Sequence, residues 1–105
     1  MADHKQLYIQ GLTHLSKGRL DEALASFQQA VEAKPDFLEG HLGVGQAWER
    51  KGMLDEAVVA VKKAIAGNPN DPLSHTSLSR LYQQKGMIPE AEMEMALSKQ
   101  LQMGT

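Results

Sequence analysis

The apolar residues of this chain recur at three- and four-residue steps, the spacing of one face of an α-helix. The clearest set is Leu20, Ala23, Leu24, Phe27, Ala30 and Val31, and the stretch from Leu54 to Ile65 repeats it. We find no alternation of apolar and polar residues of the kind that a half-buried strand shows. The pattern therefore predicts six helices, near residues 4–16, 20–33, 37–50, 54–66, 72–84 and 88–102.

Turn-forming residues separate these six segments. A Lys-Gly pair precedes the second, fourth and sixth segments, and its glycine can end a helix in the left-handed conformation. Proline-containing stretches separate the other segments, at Pro35-Asp36 and at residues 68–72. Asp36 with Glu39 three positions later predicts a capping box at the start of the third helix. Pro72 suits the first turn of the fifth.

The chain repeats itself every 34 residues without a gap. The stretch KGRLDEALASFQQAVEAKPD starts at Lys17, KGMLDEAVVAVKKAIAGNPN at Lys51 and KGMIPEAEMEMALSKQ at Lys85. The glycines, the following aliphatic residue, a glutamate and two small residues all keep this register: Gly18, Gly52, Gly86; Leu20, Leu54, Ile88; Glu22, Glu56, Glu90; Ala23, Ala57, Ala91; Ala30, Ala64, Ser98. A period of this length indicates stacked helix pairs that share one core, because a single pair cannot bury its own apolar face.

On these residues the chain resembles the tetratricopeptide repeat family over nearly its whole length. The units 4–37, 38–71 and 72–105 supply the small and aromatic positions of the family pattern, although the usual tryptophan at position 4 is absent. The resemblance implies an all-α fold, an α-α superhelix (solenoid) of three antiparallel helix pairs with right-handed stacking. We expect one domain over residues 1–105.

The resemblance also implies a concave groove, lined by the first helix of each pair, that binds a protein or peptide partner. The residues at its positions include Lys5, Tyr8, Ile9, Leu12, Glu39, Leu42, Gln46, Arg50, Leu73, Thr76 and Arg80. Gly43 leaves room in the middle of this groove. By the same register Leu15 points into it.

Two interpretations remain for the most prominent groove residues. Tyr8, Ile9 and Leu12 either anchor an apolar side chain of the partner or close the N-terminal end of the core. Arg50 and Arg80 either bind a carboxylate or carbonyl, or are solvated surface charges. The family's clamp for chaperone C-terminal carboxylates is not predicted, because its basic and asparagine positions hold Tyr8, Leu12, Gly43, Leu73 and Ser77.

The last unit differs from the others on two faces. The resemblance implies that two positions of each second helix face the next unit. They are apolar in the first two units, whereas the third carries Glu92 and Lys99, as expected where an array ends in water. A new apolar stripe of Met93, Leu97 and Leu101 appears beside them. This stripe either supports self-association or a second partner, or is buried on the fifth helix.

Composition narrows the function further. The 105 residues carry 11 lysines and arginines against 13 aspartates and glutamates, so no basic surplus exists for a nucleic-acid partner. There is no cysteine and no apolar run long enough for a membrane span, and we expect a cytoplasmic location.

The chemistry-bearing residues predict neither catalysis nor a cofactor. Four histidines do not form a recognisable metal motif, and no phosphate-binding loop or nucleophile motif is present. We therefore predict a protein-protein interaction module or adaptor, neither an enzyme nor a metal protein. The alternative is a structural protein that forms homo-oligomers through its last helix and array ends.

Overall fold

A computed structural model describes residues 2–104 and shows six α-helices and no strand in that part of the chain. The helices are α1 (His4–Ser16), α2 (Leu20–Ala33), α3 (Leu38–Arg50), α4 (Leu54–Gly67), α5 (Pro72–Gln84) and α6 (Ile88–Gln102). All of the predicted bounds agree to within one residue, and the all-α superhelix of helix pairs is confirmed. The predicted domain and third unit also include Met1 or Thr105, which lie outside the described residues, and the domain limits stay a prediction.

The turn within each helix pair has the same backbone geometry. Gly18, Gly52 and Gly86 have φ angles of 74°, 79° and 77°, a conformation that glycine adopts without the steric cost of a Cβ. The residue after each glycine donates its N–H to a carbonyl five positions back, at 2.9 Å in the case of Met53 and Trp48. This closes the end of the first helix and explains why the Lys-Gly pair recurs with the repeat.

The start of α3 differs from the prediction. Its N-cap is Phe37 without a side-chain cap, so the predicted Asp36–Glu39 capping box is wrong. The Phe37 ring is buried and packs edge-on against Tyr8, with 5.5 Å between ring centroids. Burial of this ring, rather than a polar cap, therefore fixes the chain entering α3. A capping box forms instead at Asp3 and Gln6, before α1.

Small residues allow the helices to approach one another closely. Phe27 is fully buried on α2, and its ring lies against both Gly11 of α1 and Gly43 of α3. A Cβ at Gly11 would lie 2.4 Å from the ring, and one at Gly43 would lie 2.6 Å from it. The expectation that Gly43 leaves room in the groove is therefore wrong, because its open side is already filled by Phe27.

The three pairs stack through α2 on α3 and α4 on α5, so that the core runs along the array. Trp48 packs against both of the buried clusters that make up this core. Leu15, predicted to face the groove, is only 5% exposed and belongs to the first cluster. That prediction is wrong because the last turn of α1 faces α2 and α3.

Candidate functional site

A pocket of about 310 Å³ opens on the face formed by the first helices of the three pairs. Tyr8 of α1 and Leu73 of α5 both line it. The lining residues that come from α3 and the rest of α5, together with one from α4, are Leu42, Gly45, Gln46, Glu49, Val61, Thr76, Ser77, Arg80 and Leu81. We call this the concave pocket. Its floor is apolar and its walls carry amide, hydroxyl and charged groups.

The concave pocket brings together about half of the predicted groove residues. Those that line it are Tyr8, Leu42, Gln46, Leu73, Thr76 and Arg80; those that do not are Lys5, Ile9, Leu12, Glu39 and Arg50. Ile9 and Leu12 are 60% and 39% exposed on α1. They therefore present accessible apolar surface outside the pocket rather than closing the core.

Tyr8 combines the two roles considered for it. Its ring packs against Phe27 and Phe37 at centroid distances of 5.7 and 5.5 Å, and the same side chain lines the concave pocket. Burial, and to a smaller extent the negative charge of Glu39, raises the pKa of the Tyr8 hydroxyl above 10.0. The phenol is therefore neutral near pH 7 and keeps a hydrogen to donate.

An ion pair between Glu49 and Arg80 crosses the pocket wall from α3 to α5. The Nε of Arg80 lies 2.9 Å from Oε2 of Glu49 and its Nη2 lies 3.0 Å from Oε1, so the contact is bidentate. Hydrogen bonding from Arg80 holds the pKa of Glu49 below its usual value, against the opposing effect of burial. Gln84 donates a further hydrogen bond to the same carboxylate.

This pair holds the Arg80 guanidinium in one orientation and uses only some of its N–H groups. Two of its five N–H groups are directed at Glu49, which leaves Nη1 for another acceptor. The side chain of Arg80 is 48% exposed, whereas that of Glu49 is 16% exposed. The accessible member of the pair is therefore the cation.

Arg50 lies outside the concave pocket and has a structural contact. Its Nη1 donates to the backbone carbonyl of Leu15 at 3.0 Å, near the end of α1. The contact ties the C-terminal ends of α1 and α3 together. It also places a cation at the negative end of the α1 dipole.

The repeat register places Glu49 and Ser77 among the groove positions as well, but it does not assign the pocket residues Gly45, Val61 and Leu81 to the groove. The repeat pattern assigns such positions to the core, and Gly45 does contact it, since a Cβ there would lie 2.9 Å from Val61. The pocket reaches these buried residues because α3 carries glycine at this point. The sequence feature that could have indicated these pocket residues is a glycine next to polar groove residues.

Among residues 2–104, no three His, Asp or Glu side chains are grouped so that they could hold a metal ion. In the same range no helix has both the length and the apolar character needed to cross a membrane.

A family model described as tetratricopeptide repeat matches residues 8–72, which is more than half of the chain. The chain belongs to the tetratricopeptide repeat family. The comparison with curated proteins gave no match. The fold comparison agrees with the family, because solved tetratricopeptide repeat structures superpose on nearly the whole chain.

Three solved structures show the extent of this likeness. MamA superposes with a TM-score of 0.92 at 20% identity, covering 97% of this chain, which in turn spans only 60% of MamA. The Yersinia enterocolitica type III secretion chaperone SycD, in complex with a peptide of the translocator YopD, gives 0.88 at 23% identity, covering 92% and 74%. The first repeat domain of Spaghetti (RPAP3), bound to the HSP90 peptide SRMEEVD, gives 0.91 at 16%, covering 98% and 82%.

Proposed function

We propose that this chain is an adaptor module that binds an extended or helical segment of a partner protein in the concave pocket. The observation that carries the proposal is the pocket itself, because the first helices of all three repeats contribute to it and it has an apolar floor. The solved complexes of SycD with a YopD peptide and of RPAP3 with an HSP90 peptide support the same mode of use for this fold.

The pocket residues indicate what kind of segment fits. Leu42, Leu73 and the floor residue Val61 accept an aliphatic side chain of the partner. The unused N–H groups of Arg80 donate hydrogen bonds to a backbone carbonyl or carboxylate oxygen of the partner beside it. Because Glu49 fixes the guanidinium in advance, little side-chain entropy is lost when the partner binds.

The proposal includes neither catalysis nor a cofactor. The family and its solved relatives support a binding role, and the absence of a nucleic-acid partner and the cytoplasmic location remain predictions. The clamp for chaperone C-terminal carboxylates is not part of the proposal, since its residues are missing from this sequence.

A matched pair of variants tests the proposal. Peptides selected from a display library against the wild-type chain are measured by titration against Leu73→Glu and Val59→Glu. Leu73 and Val59 are similarly exposed, at 62% and 55%, but only Leu73 lines the concave pocket. We expect Leu73→Glu to weaken binding at least about tenfold, and Val59→Glu to leave it unchanged. Equal binding by Leu73→Glu and wild type would contradict the proposal.

A second candidate function is self-assembly through α6. Met93 and Leu97 are 69% and 42% exposed, and Leu101 is partly exposed. The stripe predicted from the sequence therefore remains accessible and is not buried on α5. Its exposure is the specific observation that supports a homo-oligomer, and the mass of the chain in solution tests it.

A further inference from the structure

A second pocket, of about 260 Å³, lies between α2 and α4 with α3 as its floor. We call it the second-helix pocket. It is lined by Gln28, Val31, His41, Val44, Trp48, Glu56, Val59, Ala60 and Lys63. It shares no lining residue with the concave pocket and approaches α3 from another side.

The third repeat shows what occupies the equivalent place there. His75 is 6% exposed and bridges two acceptors, the carbonyl of Pro69 at its Nε2 and the Glu94 carboxylate at its Nδ1, each at 2.8 Å. Glu94 reaches this ring from α6, the second helix of its pair. A carboxylate therefore fills the site beside the ring.

The second repeat has the same histidine without the carboxylate. Thirty-four residues earlier in the chain, His41, Pro35 and Ala60 stand where His75, Pro69 and Glu94 stand. The Nε2 of His41 lies 2.7 Å from the Pro35 carbonyl, the contact that His75 makes with Pro69. The hydrogen bonds among residues 2–104 include none to Nδ1 of His41. Ala60 is too short to supply one, and the second-helix pocket lies at this place.

We propose that the second-helix pocket binds a glutamate or aspartate side chain of a partner protein, with its carboxylate on Nδ1 of His41. The third repeat indicates that the occupant is a carboxylate, since Glu94 makes this contact with His75. The aliphatic walls, Val31, Val44 and Val59, then accept apolar side chains next to the acidic residue.

The charges around the second-helix pocket agree with an anionic occupant. Lys63 lines it one helical turn after Ala60, at a place that Leu97 takes in the third repeat, so the second repeat has one more cation. Glu56 also lines it, one turn before Ala60. That carboxylate does not prevent the contact, because Glu90 holds the same register position beside Glu94.

Binding of a carboxylate requires a protonated ring. The Pro35 carbonyl can only accept, so Nε2 of His41 carries a hydrogen, and a neutral ring would then present a lone pair at Nδ1. A carboxylate at Nδ1 therefore binds the imidazolium form of the ring.

The probes are two synthetic tripeptides, acetyl-Leu-Glu-Leu-amide and acetyl-Leu-Gln-Leu-amide, titrated into the wild-type chain at pH 6 and followed by NMR. We expect the glutamate peptide to bind at least about fivefold more tightly and to shift the His41 ring and Trp48 indole resonances. Leu73→Glu should keep this binding, which separates the second-helix pocket from the proposed concave site. Equal affinity for both peptides would overturn the proposal.

Two variants test whether a side chain of α4 can take the place of the partner's carboxylate at His41. Ala60→Glu places a carboxylate where Glu94 stands in the third repeat, and Ala60→Gln places a neutral side chain of the same size there. We expect Ala60→Glu to move the Nδ1 resonance of His41 to the value shown by His75 and to abolish glutamate-peptide binding. Ala60→Gln should abolish binding without that shift. A folded Ala60→Glu whose His41 resonance is unmoved overturns the proposal, and if Ala60→Glu does not fold, the tripeptide titration decides.

Discussion

Phe27 shows how single residues set the spacing of the helices in this array. Its ring is fully buried and lies so close to Gly11 and Gly43 that a Cβ at either position would overlap it. Protein interiors pack densely enough that even one extra carbon is felt. The spacing of α1, α2 and α3 therefore depends on the absence of a side chain at two positions.

We expect Gly43→Ala to destabilise the chain by about 1–2 kcal/mol, because overpacking costs more than the ~1 kcal/mol that alanine gains in a helix. Gly67→Ala is the control, since no atom lies within 4 Å of the place that its Cβ would take and its φ is not positive. Gly67→Ala should leave stability unchanged or raise it by up to about 1 kcal/mol. Urea unfolding of both variants checks this, and equal effects would contradict the role given to Phe27.

The surroundings of His75 favour its charged form. Burial acts to lower its pKa, but the hydrogen bonds to Glu94 and to the Pro69 carbonyl, with the negative charges of Glu94 and Asp71, raise it above 6.5. Both ring nitrogens face acceptors, which only an imidazolium can satisfy. This contribution to stability is fully present below pH 6.5, the ordinary value, and is lost as the pH rises through the folded value.

The free energy of unfolding should therefore fall between pH 6 and pH 8 more steeply in wild type than in Glu94→Gln. The variant keeps the size of the side chain and removes the charge that raises the pKa of His75. The other three histidines are common to both proteins, so the difference between the two pH profiles reports His75. Urea unfolding at pH 6, 7 and 8 measures it, and parallel profiles would count against the charged pair.

At the scale of the elements, the helix ends follow from local signals. The C-terminal end of each first helix is closed by a left-handed glycine and two backbone hydrogen bonds, as at Gly52, where the N–H groups of Gly52 and Met53 reach Glu49 and Trp48. Such signals lie within a few residues, so the sequence alone predicts these ends. The lysines before Gly52 and Gly86 add ion pairs that join successive repeats, Lys51 with Asp21 and Lys85 with Asp55.

Replacing Gly52 isolates the cost of this backbone conformation. No atom lies within 4 Å of a Cβ at this position, so the substitution adds strain and no clash. We expect Gly52→Ala to cost about 1–2 kcal/mol, and Gly52→Asn to cost less, because asparagine tolerates the left-handed region. Thermal unfolding of the pair checks the order, and a smaller loss for alanine would show that another force closes the turn.

The features that sequence reasoning did not predict depend on contacts between distant parts of the chain. The capping box expected at Asp36 is absent because Phe37 is buried against α1, a contact that no local pattern reports. The floor of the concave pocket was missed because Gly45 and Val61 serve both the core and the pocket. Arg50 was assigned to the groove, but its hydrogen bond to Leu15 depends on how α1 and α3 meet.

At the scale of the whole molecule, the last helix, α6, presents both charged and apolar residues on its accessible surface. Helix α6 carries Glu92 and Lys99 at the register positions where α2 and α4 carry apolar residues, so a second copy stacked there would bury two charges. Met93 and Leu97 of the same helix are exposed apolar residues. Self-assembly, if it occurs through α6, therefore uses this stripe rather than a continuation of the repeat stack.

Sedimentation at two widely separated concentrations tests that second candidate. A homo-oligomer through α6 predicts that mass increases with concentration in wild type and not in Met93→Glu plus Leu97→Glu. Val59→Glu is the control, since it adds a charge to an exposed apolar residue on α4. A wild-type chain that stays monomeric at the higher concentration would remove the candidate.

The most direct test of the central claim is an NMR footprint of a library-selected peptide on the isotope-labelled chain. Binding in the concave pocket predicts shift changes concentrated on α1, α3 and α5 at Tyr8, Leu42, Gln46, Leu73 and Thr76, and on the guanidinium of Arg80. Changes confined to α6, or to the second-helix pocket between α2 and α4, would contradict binding in the concave pocket.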